Sequence, residues 1–182
     1  VSICKDAVKN RYEKIIIFED DISITKNFTK INLLTIENFL KTKKWNLFFL
    51  GCFPDNRYIT RKIQRGVYMT KAYGAHAYAL NKSYIEKIAS LSWEGRSYDG
   101  YLKDDYQYAF LPRLFDQKAE ASDIPRGVNF VNRYPILKKV VLDANEWYAV
   151  NSFYVLVGIV LWILGLVFLY RQRRIELAYS KK

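Results

Sequence analysis

Ile15-Ile16-Ile17-Phe18-Glu19-Asp20-Asp21 is the stretch on which the reading of the fold turns. Four apolar residues, three of them β-branched, predict a short strand buried on both faces, the kind found inside a parallel sheet. Three carboxylates follow at once. Like charges this close repel, and burying them unpaired costs several kcal/mol. Two readings account for such a strand end. Either it holds a cation, at the place where open α/β sheets bind ligands, or it is an acidic turn capping the next segment. Mg2+ or Mn2+ suits the first, because a hard cation takes oxygen ligands from one or two carboxylates plus substrate phosphates.

On the C-terminal side, Leu33, Ile36 and Leu40 recur at helical spacing and predict an amphipathic helix from Thr29 to Lys41. Trp45-Asn46-Leu47-Phe48-Phe49-Leu50 predicts a second buried strand, stopped by Gly51. Strand, helix and strand with short connections predict a βαβ unit with a parallel crossover. On the N-terminal side, Val1, Cys4, Val8 and Tyr12 share a helical face. The chain opens inside a helix without an initiator Met, which predicts a fragment lacking N-terminal material. Cys52 to Gly66 is polar and basic around Pro54-Asp55-Asn56 and predicts a surface loop. Val67 to Leu80 predicts a third extended stretch, broken by Gly74. Ser83-Tyr84-Ile85-Glu86 has the form of a capping box opening a helix with Ile85, Ile88 and Ala89 on its apolar face. Tyr108 to Leu111 predicts a short strand ended by Pro112, and the remainder to Trp147 reads as irregular apart from Val140-Val141-Leu142.

Composition narrows the classes. With 51% hydrophobic and 16% aromatic residues over 182 positions, a disordered chain is excluded. The net charge of +11 includes five cations against Glu176 in the final twelve residues; the other Lys and Arg are scattered. That scatter favours anionic ligands over nucleic acid, which requires a basic stripe or a known module. Cys4 and Cys52 lie far from any metal spacing and read as buried thiols. Phe153 to Tyr170 is eighteen residues without a charge, followed by Arg171-Gln172-Arg173-Arg174. With Trp147 to Ser152 at the interface, this is long enough to cross a hydrocarbon core of about 30 Å; a buried core helix is the other reading. Interfacial aromatics at both ends fit a single span. The basic flank then places the tail in the cytoplasm and the globular domain on the lumenal or extracytoplasmic side. Asn27-Phe28-Thr29 and Asn81-Lys82-Ser83 are candidate glycosylation acceptors on that side. The chain thus divides into an α/β domain at 1–146, a transmembrane helix at 147–170 and a basic tail at 171–182.

The ordered set of Ile16-Ile17-Phe18-Glu19-Asp20-Asp21, Trp45 to Gly51, Gly74-Ala75-His76-Ala77-Tyr78, Tyr98-Asp99, and Gln117 with Ser122-Asp123-Ile124 resembles family 25 glycosyltransferases. That family includes lipooligosaccharide galactosyltransferases and procollagen galactosyltransferase-like proteins. The resemblance spans Ala7 to Ile124. It implies a glycosyltransferase A-type, Rossmann-like mixed sheet flanked by helices, truncated at its N-terminus. It also implies transfer of a hexose from a nucleotide-sugar such as a UDP-hexose to a glycan or protein hydroxyl, with Mn2+ or Mg2+. Glu19 and Asp21 would then contact the metal and ribose, with Asp20 between them. A metal there would stabilise the charge on the departing diphosphate.

Asp99 is the candidate general base for an inverting displacement, or else a turn aspartate before Gly100. His76, the sole histidine, is either a substrate contact or a structural imidazole. Asp123 either reaches a substrate pocket or caps a turn with Ser122. Arg57, Arg61, Lys62 and Arg65 either hold diphosphate or form a solvated basic loop. Two other functions fit less of the sequence: an inactive relative that binds a glycan or partner at a membrane, and a metal-dependent phosphoesterase. The latter requires more His or Asp ligands than one histidine allows.

Overall fold

A computed structural model of the chain describes residues 1–55, 57–58, 60–92, 102, 107–118 and 135–179, with side chains of the last helix described over 139–173. The chain divides into two compact units, Val1–Val150 and Asn151–Lys182. In order, the elements are α1 (Ser2–Lys9), β1 (Lys14–Phe18), β2 (Ile22–Ile24), α2 (Lys30–Thr42), β3 (Leu47–Pro54), β4 (Arg61–Gln64), β5 (Val67–Met69), β6 (Ala72–Asn81), α3 (Lys82–Ala89), β7 (Gln107–Phe110), β8 (Phe115–Gln117) and α4 (Pro135–Tyr179).

The first unit is α/β, built on a mixed six-stranded sheet in the order β1-β6-β3-β7-β5-β4, with β2 and β8 forming a separate two-stranded ladder. Among the described strands only β3 and β7 pair in parallel. β3 is covered on both faces, and its alternation, like that of β6 and β7, builds two cores. Leu47 and Phe49 face Cys4 and Ala7 of α1 and Tyr84, Ile85 and Ile88 of α3, and Val150 of α4 packs against the same cluster. Phe48 and Leu50 face Ile36 and Phe39 of α2 on the other side.

Several expectations change in consequence. β1 is an edge strand in the described sheet, not a strand buried on both faces. It pairs only with β6, so Ile15 and Ile17 reach the core while Ile16 and Phe18 stay 56% and 48% exposed. β1 and β3 run the same way, yet they do not pair: β6 lies between them, antiparallel to both. The connection through α2 is therefore not a simple βαβ unit. On α1 the buried positions are Cys4 and Ala7, with Val8 exposed, and Tyr12 lies exposed beyond the helix; on α2 they are Ile36 and Phe39, with Leu33 exposed. Cys4 on α1 and Ile36 and Leu40 on α2 do face the core as the apolar spacing predicts, with Ala7 and Phe39 buried beside them.

The expected loop at Cys52 to Gly66 is largely extended. Cys52–Pro54 ends β3, and β4 pairs with β5 as a hairpin. The stretch Val67 to Leu80 is two strands. Gly74 does not break the second: at φ +61° it bends β6 in a conformation that L side chains rarely adopt, with Phe53 packed where a Cβ would point. α3 is capped by Asn81, whose Oδ1 accepts from the Tyr84 N–H at 3.0 Å, and not by Ser83. The segment before Trp147 is helical from Pro135, an allowed first helical position for proline.

In the second unit α4 continues to Tyr179, with exposed apolar side chains throughout 153–170. By length and composition the stretch Lys139–Arg173 is able to cross a membrane.

Candidate functional site

β1 delivers the acidic turn to the rim of the sheet. The Glu19 N–H donates to the His76 carbonyl at 2.9 Å, extending the β1–β6 ladder one residue beyond Phe18. On the other side the Lys118 N–H donates to the Asp21 carbonyl at 2.7 Å, and Gln117 Nε2 donates to Glu19 Oε2 at 2.9 Å. The turn is thus stitched between β6 and the end of β8. β2 then pairs back along β8, with Ile22 opposite Gln117 and Ile24 opposite Phe115. Glu19 and Asp20 are exposed, whereas Asp21 is half-buried. Asp21 Oδ1 is buried and has no hydrogen-bond partner among the described residues. A buried carboxylate oxygen left unsatisfied costs about 1–3 kcal/mol. No three His, Cys, Asp or Glu side chains among the described residues converge as a ready metal cage. The buried Asp21 Oδ1 is still the kind of hard oxygen that Mg2+ or Mn2+ takes, with its remaining ligands from water and phosphate.

His76 lies directly behind this turn. Its ring is fully buried, with Nδ1 2.7 Å from the Gly74 carbonyl and Nε2 2.9 Å from the Phe115 carbonyl. A neutral imidazole donates to only one of them. Burial lowers the His76 pKa, outweighing the opposing pull of the two carbonyls and Asp116; Arg113 acts in the same direction as burial. Gly51 makes room for the ring. A Cβ there would sit 2.5 Å from Nε2 and 2.7 Å from the Phe115 carbonyl. His76 therefore pins β6 to β8 and has no exposed surface with which to meet a substrate.

Arg113, which the sequence reading passed over, is only 3% exposed. Its Nε bonds Asp116 at 2.5 Å, its Nη2 bonds Asp143 at 3.2 Å, and Glu146 takes both Nη1 and, at 2.6 Å, the Arg113 N–H. Burial alone would lower the guanidinium pKa, but the Asp116 hydrogen bond and the charges of Glu146, Asp116 and Asp143 raise it. The signal was present: a lone cation inside Leu111-Pro112-Arg113-Leu114-Phe115 must find acids or remain unpaired in the core. Cys52 is buried beside the same group. Burial and the negative charge of Glu146 push its thiol well above the ordinary range, Arg113 offsets only part, and the thiol is inert.

Gln117 thus meets the Glu19 side chain, and the backbones of Glu19 and Asp21 are held by His76 and Lys118, while Asp99 and Asp123 lie outside the described residues. Arg57 pairs with Asp55 at 2.7 Å, and Arg61 and Lys62 are exposed on edge strand β4. Both candidate glycosylation asparagines have their amide nitrogens engaged. Asn27 Nδ2 donates to the Arg113 carbonyl at 3.1 Å, and Asn81 Nδ2 donates to the Trp45 carbonyl. No protein-family model matches this chain, and no curated protein matches it either.

Proposed function

We propose that this chain is a membrane-anchored, metal-dependent glycosyltransferase that moves a hexose from a nucleotide-sugar to a hydroxyl of a glycan or protein. The observation that carries the reading is the Glu19-Asp20-Asp21 turn at the end of β1, with Asp21 Oδ1 buried and unsatisfied among the described residues. A buried carboxylate oxygen is seldom left unsatisfied unless a cation completes the site. Glu19 and Asp21 would hold Mn2+ or Mg2+, with Asp20 beside them. The metal, when bound, supplies positive charge that lowers the cost of releasing the nucleoside diphosphate. Gln117 fixes the orientation of Glu19 by donating to Oε2. Asp99 is assigned the general base that takes the proton of the acceptor hydroxyl, and Asp123 a substrate contact. The buried ring of His76 supports the rim from behind. The apolar part of α4 anchors the enzyme, with the basic tail in the cytoplasm and the α/β unit on the lumenal or extracytoplasmic side.

The test is UDP release from UDP-hexoses by the full-length protein with Mn2+ and an acceptor mixture. Release that vanishes in Asp21→Ala is the expected result. Nucleotide binding with no release from any donor would replace the enzyme with a glycan- or protein-binding module of the same fold.

A further inference from the structure

Residues 113–118 join two things that the sequence keeps far apart. At one end Arg113 is clasped by α4: Glu146 accepts from its backbone N–H and its guanidinium, and Asp143 accepts from Nη2. Asp116, inside β8, closes the same clasp. At the other end Gln117 Nε2 and the Lys118 N–H hold Glu19 and Asp21. The middle is fixed to the sheet by the Leu114 N–H on the Leu50 carbonyl and by His76 on the Phe115 carbonyl. The Arg113 carbonyl accepts from Thr25 Oγ1 at 2.8 Å and from Asn27, tying in the far end of β2. A two-stranded ladder of three residue pairs is not stable by itself. β2 and β8 therefore hold their shape through these anchors, and the clasp on Arg113 is the only one of them made of buried charge.

We infer that Arg113 is a positioning residue: by gripping Asp143 and Glu146 of α4 it seats β8 and thereby sets the spacing of Glu19 and Asp21. The helix that leads into the apolar segment becomes part of the scaffold of the acidic turn. The metal arm of this inference rests on the proposed function; the seating of β8 does not.

The experiment uses the full chain in detergent micelles. Mn2+ is titrated alone and followed by the electron paramagnetic resonance signal of the unbound ion, with hydrogen exchange read in parallel. Glu146→Gln keeps an acceptor for the Arg113 N–H but removes the charge. It is expected to weaken Mn2+ binding about five-fold or more. Exchange should quicken at Ile22–Ile24 and Phe115–Gln117 and stay unchanged in β3 and β6. Asp143→Asn, at the longer and more exposed contact, is expected to do less. Ile85→Val, a core trim beneath α3, controls for general loosening and should leave Mn2+ binding unaltered. The inference is overturned if Glu146→Gln leaves exchange at β2 and β8 unchanged, or if Ile85→Val weakens Mn2+ binding as much. A wild-type chain that binds no Mn2+ would sink the metal reading of the turn, and the exchange pattern alone would then decide whether Arg113 seats β8.

Discussion

Two groups of carboxylates stand at opposite ends of residues 113–118, and they are neutralised in different ways. Asp116, Asp143 and Glu146 surround a cation that belongs to the chain, and every arm of the Arg113 fork is used. At the other end Gln117 Nε2 donates to Glu19 Oε2, the Lys118 N–H reaches the Asp21 backbone carbonyl and not its carboxylate, and Asp21 Oδ1 receives no hydrogen bond from the described residues. The first arrangement is complete and holds the fold together. Structural charge is matched from within; a buried carboxylate oxygen without a hydrogen bond among the described residues, as at Asp21, is what a site for an external cation requires.

The sharpest way to break this contrast is to take the cation out of the complete cluster. Arg113→Leu strands three acids and should cost roughly 3–5 kcal/mol, read by denaturant unfolding in detergent. A loss under about 1 kcal/mol, the scale of a surface ion pair, would mean that the cluster is solvated and that the two groups do not differ in kind. Gly51→Ala comes next. The added methyl meets the His76 ring and the Phe115 carbonyl, and overpacking of this sort costs about 1–3 kcal/mol. An unchanged unfolding midpoint would show that β8 is not tightly seated.

The third prediction concerns acid. Because the folded-state pKa of His76 is lowered, the unfolded chain binds the extra proton first as pH falls. The stability associated with the neutral ring is therefore present above the unfolded value, near 6.5, and drains away as pH falls below it. The slope reaches at most about 1.4 kcal/mol per pH unit for one proton. His76→Gln should flatten that part of the profile, and a slope that persists in the variant would place its origin elsewhere. The smallest effect is expected at Asp21→Asn. Removing charge from an oxygen without a partner should shift stability by no more than about 0.5 kcal/mol, in either direction, while Mn2+ binding is lost. A large destabilisation would instead make Asp21 a structural acid like Glu146.

What was legible in the sequence follows the same division. Hydrophobic runs found the positions of β1, β3, β7 and α2 because those signals are local. They could not show that β6, arriving more than fifty residues after β1, inserts between β1 and β3. A run of isoleucines is equally at home on a central strand and on an edge strand with one covered face, so Ile16 and Phe18 were misread. The acidic turn was visible because its charges are consecutive. Arg113 was missed because two of its three acidic partners lie thirty or more residues downstream, where Asp143 and Glu146 read as the polar flank of an apolar segment. Asn81 was passed over as a cap because the Ser83–Glu86 pairing fits a familiar pattern, while the decisive bond goes from Tyr84 N–H to Asn81 Oδ1.

The outer rim of β1 has a practical corollary. Its outward backbone groups meet no neighbouring strand among the described residues, and between Lys14 and Glu19 it carries neither proline nor charge. Those two charged residues are its guards against edge-to-edge association. Concentrated salt shortens the reach of such charges to about 3 Å at 1 M, so preparations of this protein should self-associate in brine well before they unfold, and low-salt buffers are the safer choice for handling it.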